Sequence, residues 1–258
     1  MKKKYIATVL GCLMLFPCCA APMHGHYVSR SQDGMAAFQA LRVEGNIEVD
    51  FMQQPKVSVH VSGPEKLVEH AVIRSQGGIL VLQFVPPGVL SSSQKLRITV
   101  TGPVLERVDI TGDSEVRLRG PLQGRQLVLS LAEEADFAAD SVTLQTLHLQ
   151  ATDRSEIDIN RLDARQVQAV SFGRAEMELS GLALKASFEN NGAGEIDAAD
   201  LRVQQAEAVV KGKGDIRVSA YESLIAAVFG KGRIKYKGAP VSIQRSGNVR
   251  RVLHDQDD

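Results

Sequence analysis

The chain has 258 residues, 44% hydrophobic and 23% charged, with 30 basic side chains against 30 acidic ones. This composition supports one folded domain or two small ones and excludes a disordered chain. The zero net charge excludes bulk nucleic-acid binding, because phosphate neutralisation demands a surplus of Lys and Arg.

Lys2, Lys3 and Lys4 precede the apolar run YIATVLGCLMLF, which is followed by PCCAAP. A basic segment, an apolar stretch of about a dozen residues and small residues at a cleavage point are the layout of a secretory signal. The run is too short for a stable membrane span. The residues leave two processings open: cleavage after Ala20, or lipidation of Cys18 or Cys19, where Pro17 and Cys18 replace the small residue usual before such a cysteine. All three cysteines, Cys12, Cys18 and Cys19, lie in segment 1–20. The remainder therefore relies on packing and hydrogen bonds, without disulfides. Residues 21–35 are expected to be a flexible linker. His24 and His26 in MHGH read as part of it, since no third metal ligand accompanies them.

From residue 36 the pattern is that of strands. FQALRVEGNIEVDFM, KVSVHVSG, GGILVLQFV, QKLRITVTG and LERVDITG alternate apolar and polar residues. PEKLVEHAV (64–72) predicts a turn or short helical excursion, and PPGVLSSS (86–93) a loop. These segments are expected to form the first, irregular coils of one repeating structure, with a separate small β domain as the alternative.

A clear repeat follows. GDSEVRLRG starts at Gly112, AEEADFAAD at Ala132, TDRSEIDIN at Thr152, GRAEMELSG at Gly173, GAGEIDAAD at Gly192, GKGDIRVSA at Gly212 and GKGRIKYKG at Gly230. The aligned apolar positions are Val116, Phe137, Ile157, Met177, Ile196, Ile216 and Ile234, separated by 18 to 21 residues. A second apolar cluster lies between each pair, as in LVLSL (127–131), VQAVSF (167–172) and IAAVF (225–229). Two short alternating segments and two turns cannot bury a face alone, so the units must stack, each hydrogen-bonded to the next at about 4.8 Å. The expected fold is all-β: a single parallel β-helix, or β-solenoid, of about 20 residues per coil over 36–240. Glycines recur because the chain meets the same corner once per turn, where positive φ and close stacking favour glycine. Residues 241–258 are polar and are expected to be a covering strand and tail that protect the last edge.

An acid precedes each aligned apolar position (Glu115, Asp136, Glu156, Glu176, Glu195, Asp215), and Arg233 closes the series. The register predicts a ladder of carboxylates on one outer face. It reads either as a hydrated strand face offset by Arg117, Arg154 and Arg174, or as a cation-binding stripe. The Gly-Gly-x-Gly-x-Asp nonapeptide of calcium-binding rolls is absent. Charge also drifts along the chain: 16 acids against 8 bases from Asp113 to Asp200, then 11 bases against 6 acids from Leu201 onward. Lys211, Lys213, Lys231, Arg233, Lys235 and Lys237 concentrate on the last coils, where they form either a solvated surface or a site for an anionic sugar, lipid phosphates or the acidic middle of another copy.

FQALRVEGNIEVDF, VSVHVSGPEKLVEHAV, GGILVLQF and LRITVTGPVLERVDITGDSEVRL, with the Gly-x-Gly/Ser-Glu/Asp-Ile turns, resemble auto-transporter adhesins with a head GIN domain over roughly residues 38–238. The corners AEEAD and TDRSE depart from the family's glycine pattern. The resemblance implies an exported bacterial β-helical protein of the cell envelope and transfers no catalytic residue. His60, His70, His148 and His254 are scattered, and no GxSxG, P-loop, HExxH or Cys–His arrangement occurs. Asp153, Glu156 and Asp158 with Arg154 could imitate a polysaccharide-cleaving site, but the loop insertions that build such clefts are missing. The expected function is a non-catalytic binding or adhesion module, with no catalytic, cofactor or metal residue assigned. Its expected partners are glycan, an envelope component or other copies. A carbohydrate-active enzyme and a cation-stiffened structural element are the alternatives.

Overall fold

The computed structural model describes residues 27–33, 35–84 and 95–255. The secretory segment with its cysteines, His24, His26 and the 86–93 loop lie outside them. In chain order the strands are β1 (Tyr27–Asp33), β2 (Ala40–Gly45), β3 (Ile47–Gln53) and β4 (Ser58–Pro64), then the one-turn helix α1 (Glu65–Val68). There follow β5 (Ala71–Gln76), β6 (Ile79–Phe84), β7 (Leu96–Gly102), β8 (Arg107–Gly112), β9 (Glu115–Gln123) and β10 (Gln126–Leu131). The long strands β11 (Asp136–Ala151), β12 (Glu156–Ser171), β13 (Glu176–Asn190), β14 (Glu195–Val210) and β15 (Asp215–Val228) each make most of a coil. β16 (Ile234–Lys237), β17 (Ser242–Gly247) and β18 (Val252–His254) end the fold. All join one parallel β-solenoid of about seven turns and about 20 residues per coil.

The expected file is present. Val116, Phe137, Ile157, Met177, Ile196, Ile216 and Ile234 pair rung to rung and are buried. Each apolar side chain so buried contributes about 1.5–3 kcal/mol. Large residues are accommodated by small neighbours: Phe188 lies in register between Ala169 and Ala208 on the opposite wall. The 18–21 residue drift is absorbed at the bend away from the glycine corner, where the register slips between Ile159 and Leu162, between Glu178 and Gly181, and between Ala198 and Arg202. The bulges keep the opposite corner in strict stack.

At the N-terminal end, chain order and stacking order part. β2 lies between β6 and β8, and β3 between β7 and β9, so the coil that comes first in sequence is the second rung in space. Beyond it, β4 runs antiparallel to β7, β5 to β6 and β1 to β4. Leu67 and Val68 of α1 are buried against this end of the core. Antiparallel strands and a helical turn thus cover an edge that would otherwise invite further pairing. Tyr27–Asp33, expected within the linker, is the outermost of these strands because its extended backbone finds the free edge of β4. At the far end β17 and β18 add parallel rungs beside β15 and β16. Arg245, on an inward file, donates to the Tyr236 hydroxyl at 2.7 Å, and the Tyr236 ring packs on His254 at 4.8 Å. A polar lid closes the core there.

The glycine corner has two forms. At Glu133 and Asp153, the corners without glycine, φ is 69° and 61°, as at Gly112 and Gly173. In the Gly-x-Gly corners that follow, the expected positive φ is not used, since Gly212 and Gly214 lie outside the left-handed region. Close approach demands glycine instead: a Cβ on Gly212 would sit 1.9 Å from the Gly192 carbonyl oxygen, and one on Gly214 1.8 Å from that of Gly194. Gly212→Ala is expected to destabilise the protein by at least about 2 kcal/mol, since backbone must move to admit the methyl group. Gly120, left-handed but with open space around its Cβ position, is the control: Gly120→Ala should cost about 1 kcal/mol. Denaturant unfolding of both variants checks the difference.

Candidate functional site

The stacked corners and the sheet that follows them carry the charged side chains that could do chemistry. Strand register places Glu48, Glu115, Asp136 and Glu156 on consecutive rungs, continues to Glu176, and sets Glu195 beside Asp215. The predicted ladder is real and longer than expected, because the out-of-order rung β3 contributes Glu48. Both ends are neutralised: Arg97 donates to Glu48 at 2.6 Å, and Arg233 donates from its backbone N and from Nη2 to Asp215 at 2.9 and 2.6 Å. A second row runs parallel two residues along, through Asp158, Glu178 and Asp197, with Arg217 donating to Asp197 at 2.6 Å.

Between these clamps the carboxylates crowd one another. Partial burial, then the neighbouring Glu115, pushes Asp136 above the ordinary carboxylate range. Partial burial, then Asp136, Glu176 and Asp158, does the same to Glu156. Glu195 rises through burial and then Asp197. Among the described residues no group of three or more His, Cys, Asp or Glu is arranged to hold a metal ion. Carboxylates on successive rungs of a flat sheet point outward in parallel rather than converging on a point.

The imitation of a cleaving site does not assemble. Asp153 stays at the corner, where its Oδ2 accepts from the Thr152 hydroxyl at 2.9 Å and from the Glu133 amide at 3.2 Å. Arg154 pairs with Glu134, and Glu156 and Asp158 stand on the open sheet face. The histidines are also placed apart: His60 bonds Ser29 and Ser31, His148 bonds Gln168, and His70 bonds the Lys66 carbonyl.

Beside a smaller polar groove of about 450 Å³ that sets Lys213, Lys231 and Arg233 near Glu176, Glu195 and Asp215, two larger shallow grooves follow the corner among the described residues. One, of about 770 Å³, runs past Asp113, Glu133, Glu134 and Asp153. The other, of about 700 Å³, lies on the last corners, with Gly192, Gly212 and Gly230 as its floor. Buried Asn190 staples this second corner: its Nδ2 donates to the Gly194 carbonyl at 2.8 Å, and its Oδ1 accepts from the Gly192 amide at 2.9 Å. On one side of the floor stand Asn191, Lys211 and Phe229, and on the other Ala193, Lys213 and Lys231. Lys211 reaches back to Glu189 at 2.6 Å and holds that carboxyl below its usual range. Phe229, which closes the apolar run IAAVF, is not core: Val228 is buried and Phe229 is 67% exposed. Aligning Phe229 with Asn191 and Lys211, which are polar, would have revealed its outward direction.

Residues 37–240 match the family described as "Putative auto-transporter adhesin, head GIN domain". The fold is shared with the crystal structure of a protein described as a putative adhesin from Parabacteroides merdae ATCC 43184: TM-score 0.81, 20% identity, covering 90% of this chain and 98% of that one. It is shared with a protein from Parabacteroides distasonis ATCC 8503 described as a putative lipid binding protein: TM-score 0.80, 20% identity, covering 91% and 98%. A protein described as a putative adhesin from Bacteroides fragilis NCTC 9343 aligns with TM-score 0.65 at 24% identity, covering 86% and 93%. At these identities the likeness establishes the fold alone. No curated protein sequence matches this chain.

Carboxylates with raised values destabilise the fold when ionised. As pH falls from 7 through their folded values, the folded state takes up protons before the unfolded chain, so stability rises; the gain is complete only below the ordinary values of 3.8 for Asp and 4.5 for Glu. Glu189, held low, opposes this only at more acidic pH. Glu156→Gln is therefore expected to stabilise the protein by about 0.5 kcal/mol at pH 7 and to have no effect near pH 4. Thermal melts of both proteins across pH 4–8 check the convergence.

Proposed function

The chain belongs to the head GIN domain family of adhesin-like proteins, and from that premise we propose that it is an exported, non-catalytic binding module of the bacterial cell envelope. Its N-terminal basic and apolar segment directs export, and the mature chain is either free or held to a membrane through lipid on Cys18 or Cys19. No helix among the described residues is long and apolar enough to cross a membrane, which agrees with either form. The flat walls and the corner ridge are the contact surfaces, and glycan is the partner class they suit.

One observation carries the reading. Among the described residues the acids stand in single files one rung apart and do not converge on a common point, and the one serine–histidine contact, His60 with Ser29 and Ser31, is exposed on the outer antiparallel strands and has no acid hydrogen-bonded to its ring. General acid–base and nucleophilic catalysis both require such convergence within hydrogen-bond reach. Repeated parallel groups suit recognition of an extended, repeating ligand instead, where many weak contacts add up. Turns that are short throughout the regular coils leave no insertion to fold over a substrate and exclude water.

The experiment is an array of bacterial-envelope and host-surface glycans probed with the purified mature chain, with a reducing-end assay on every glycan bound. The expected result is saturable binding with no new reducing ends. Release of reducing ends at a steady rate would identify an enzyme and overturn the proposal.

A further inference from the structure

Resting on that binding-module reading, we infer that the Gly-Lys-Gly corner of the last coils is its contact site and that the ligand is an acidic saccharide, held by Lys213 and Lys231 beside the exposed face of Phe229. The glycines alone do not argue for a site, since the stacking of carbonyls explains them. The residues between them do. The middle position is Ala193 in one coil and lysine in the next two, so the fold does not demand a cation there.

Backbone hydrogen bonds fix where these lysines start: Lys213 N donates to the Gly192 carbonyl at 2.7 Å, and Lys231 N to that of Gly212 at 2.8 Å. Their chains therefore leave adjacent rungs about 4.8 Å apart. Nearby cations have acid partners: Lys211 with Glu189, Arg217 with Asp197, Arg233 with Asp215. Lys213 and Lys231 make no ion pair among the described residues. Two like charges at that spacing repel by about 0.8 kcal/mol even in water, and an anion seated between them removes the repulsion while gaining charge-assisted hydrogen bonds. Arg174, which makes no ion pair among the described residues either, lies on the same file two rungs below Lys213.

Phe229 decides the class of anion. Free phosphate or a lipid headgroup would engage the lysines and leave an aromatic ring, 67% exposed, without a role. A second copy of the chain would have to offer its acidic groove, but Asp113 there is bound to Lys95 at 2.9 Å and Glu134 to Arg154. A saccharide ring uses every feature: its C–H edges carry partial positive charge and pack on the negative face of Phe229, the carboxylate or sulfate meets the lysines, and the glycine floor leaves room for the ring.

The test is calorimetry on the full mature chain with uronate, sialylated and sulfated oligosaccharides, their neutral counterparts, inorganic phosphate and anionic phospholipid vesicles. The variants are Lys213→Ala/Lys231→Ala and Phe229→Ala, with unchanged melting temperature as evidence of folding. An acidic oligosaccharide should bind at least tenfold tighter than its neutral counterpart. The double variant should lose at least tenfold, and Phe229→Ala should weaken the saccharide while leaving any phosphate binding unchanged. Acidic saccharide binding that survives the double variant overturns the site. Binding of neutral glycans alone, or of phosphate or vesicles as tightly as saccharide, overturns the ligand class while the binding-module reading stands. Absence of binding to any glycan overturns both.

Discussion

Along the later coils the carbonyl oxygen of one coil fills the space that a Cβ would need in the next, and the stacking of those coils is organised by that contact. Between Gly192 and Gly212, and again between Gly194 and Gly214, peptide groups approach as closely as hydrogen-bonded strands permit. Rungs can sit at a common pitch only if each coil repeats the contour of the last at this point. Everything variable is displaced to the opposite bend, where bulges take up a residue more or fewer. A solenoid with variable length on one side and a fixed corner on the other has one straight ridge along which side chains recur at constant spacing.

That regularity has an electrostatic consequence. A residue type repeated at one position becomes a row, so seven carboxylates from Glu48 to Asp215 face one another across single rungs. Opposite charges on neighbouring rungs would have been neutral; here partial burial, and then the like charges alongside, raise Asp136, Glu156 and Glu195 above the ordinary carboxylate range and destabilise the fold at neutral pH. Arg97 and Arg233 at the two ends, and Arg117 paired with Glu115 inside the row, limit the damage. From Asp136 to Glu195 the row has no ion pair among the described residues and is left charged and hydrated. Its strands are flat and its side chains parallel, so charge density there does not become a metal cage.

The repeat from Val116 onward was legible because period-two alternation within strands and the 18–21 residue step between coils are both local in sequence. Glycine positions were legible for the same reason, although their cause differs: the αL corners are occupied by Glu133 and Asp153, whereas the glycines of the later corners answer to a neighbouring coil. What alternation cannot encode is which coil stacks on which. β2 and β3 have the same apolar pattern as β6 and β7, and only the antiparallel excursion through β4, α1 and β5 decides that the earlier pair is overlaid by the later one. Hence the sequence alone does not set Glu48 opposite Glu115. Phe229 is hidden in the sequence for a smaller reason: it ends the apolar run IAAVF, yet its file, through Asn191 and Lys211, points outward.

The ends and the corner divide the labour of such a fold. Parallel solenoids elongate by their own edge, so a chain that must remain a finite object needs ends unlike its middle. Here one end is turned antiparallel and roofed by Leu67 and Val68, and the other is closed by Arg245 across Tyr236 and His254. Both devices consume side chains in packing and leave them unsuited to recognition. Interior files are constrained by volume, as the small partners of Phe188 show. The residue between two corner glycines is bound by neither requirement: its amide is held, its side chain touches solvent, and alanine and lysine are equally compatible with the stack. Substitution there changes what the surface presents without changing what holds it together, and the paired lysines of the last corners occupy that position.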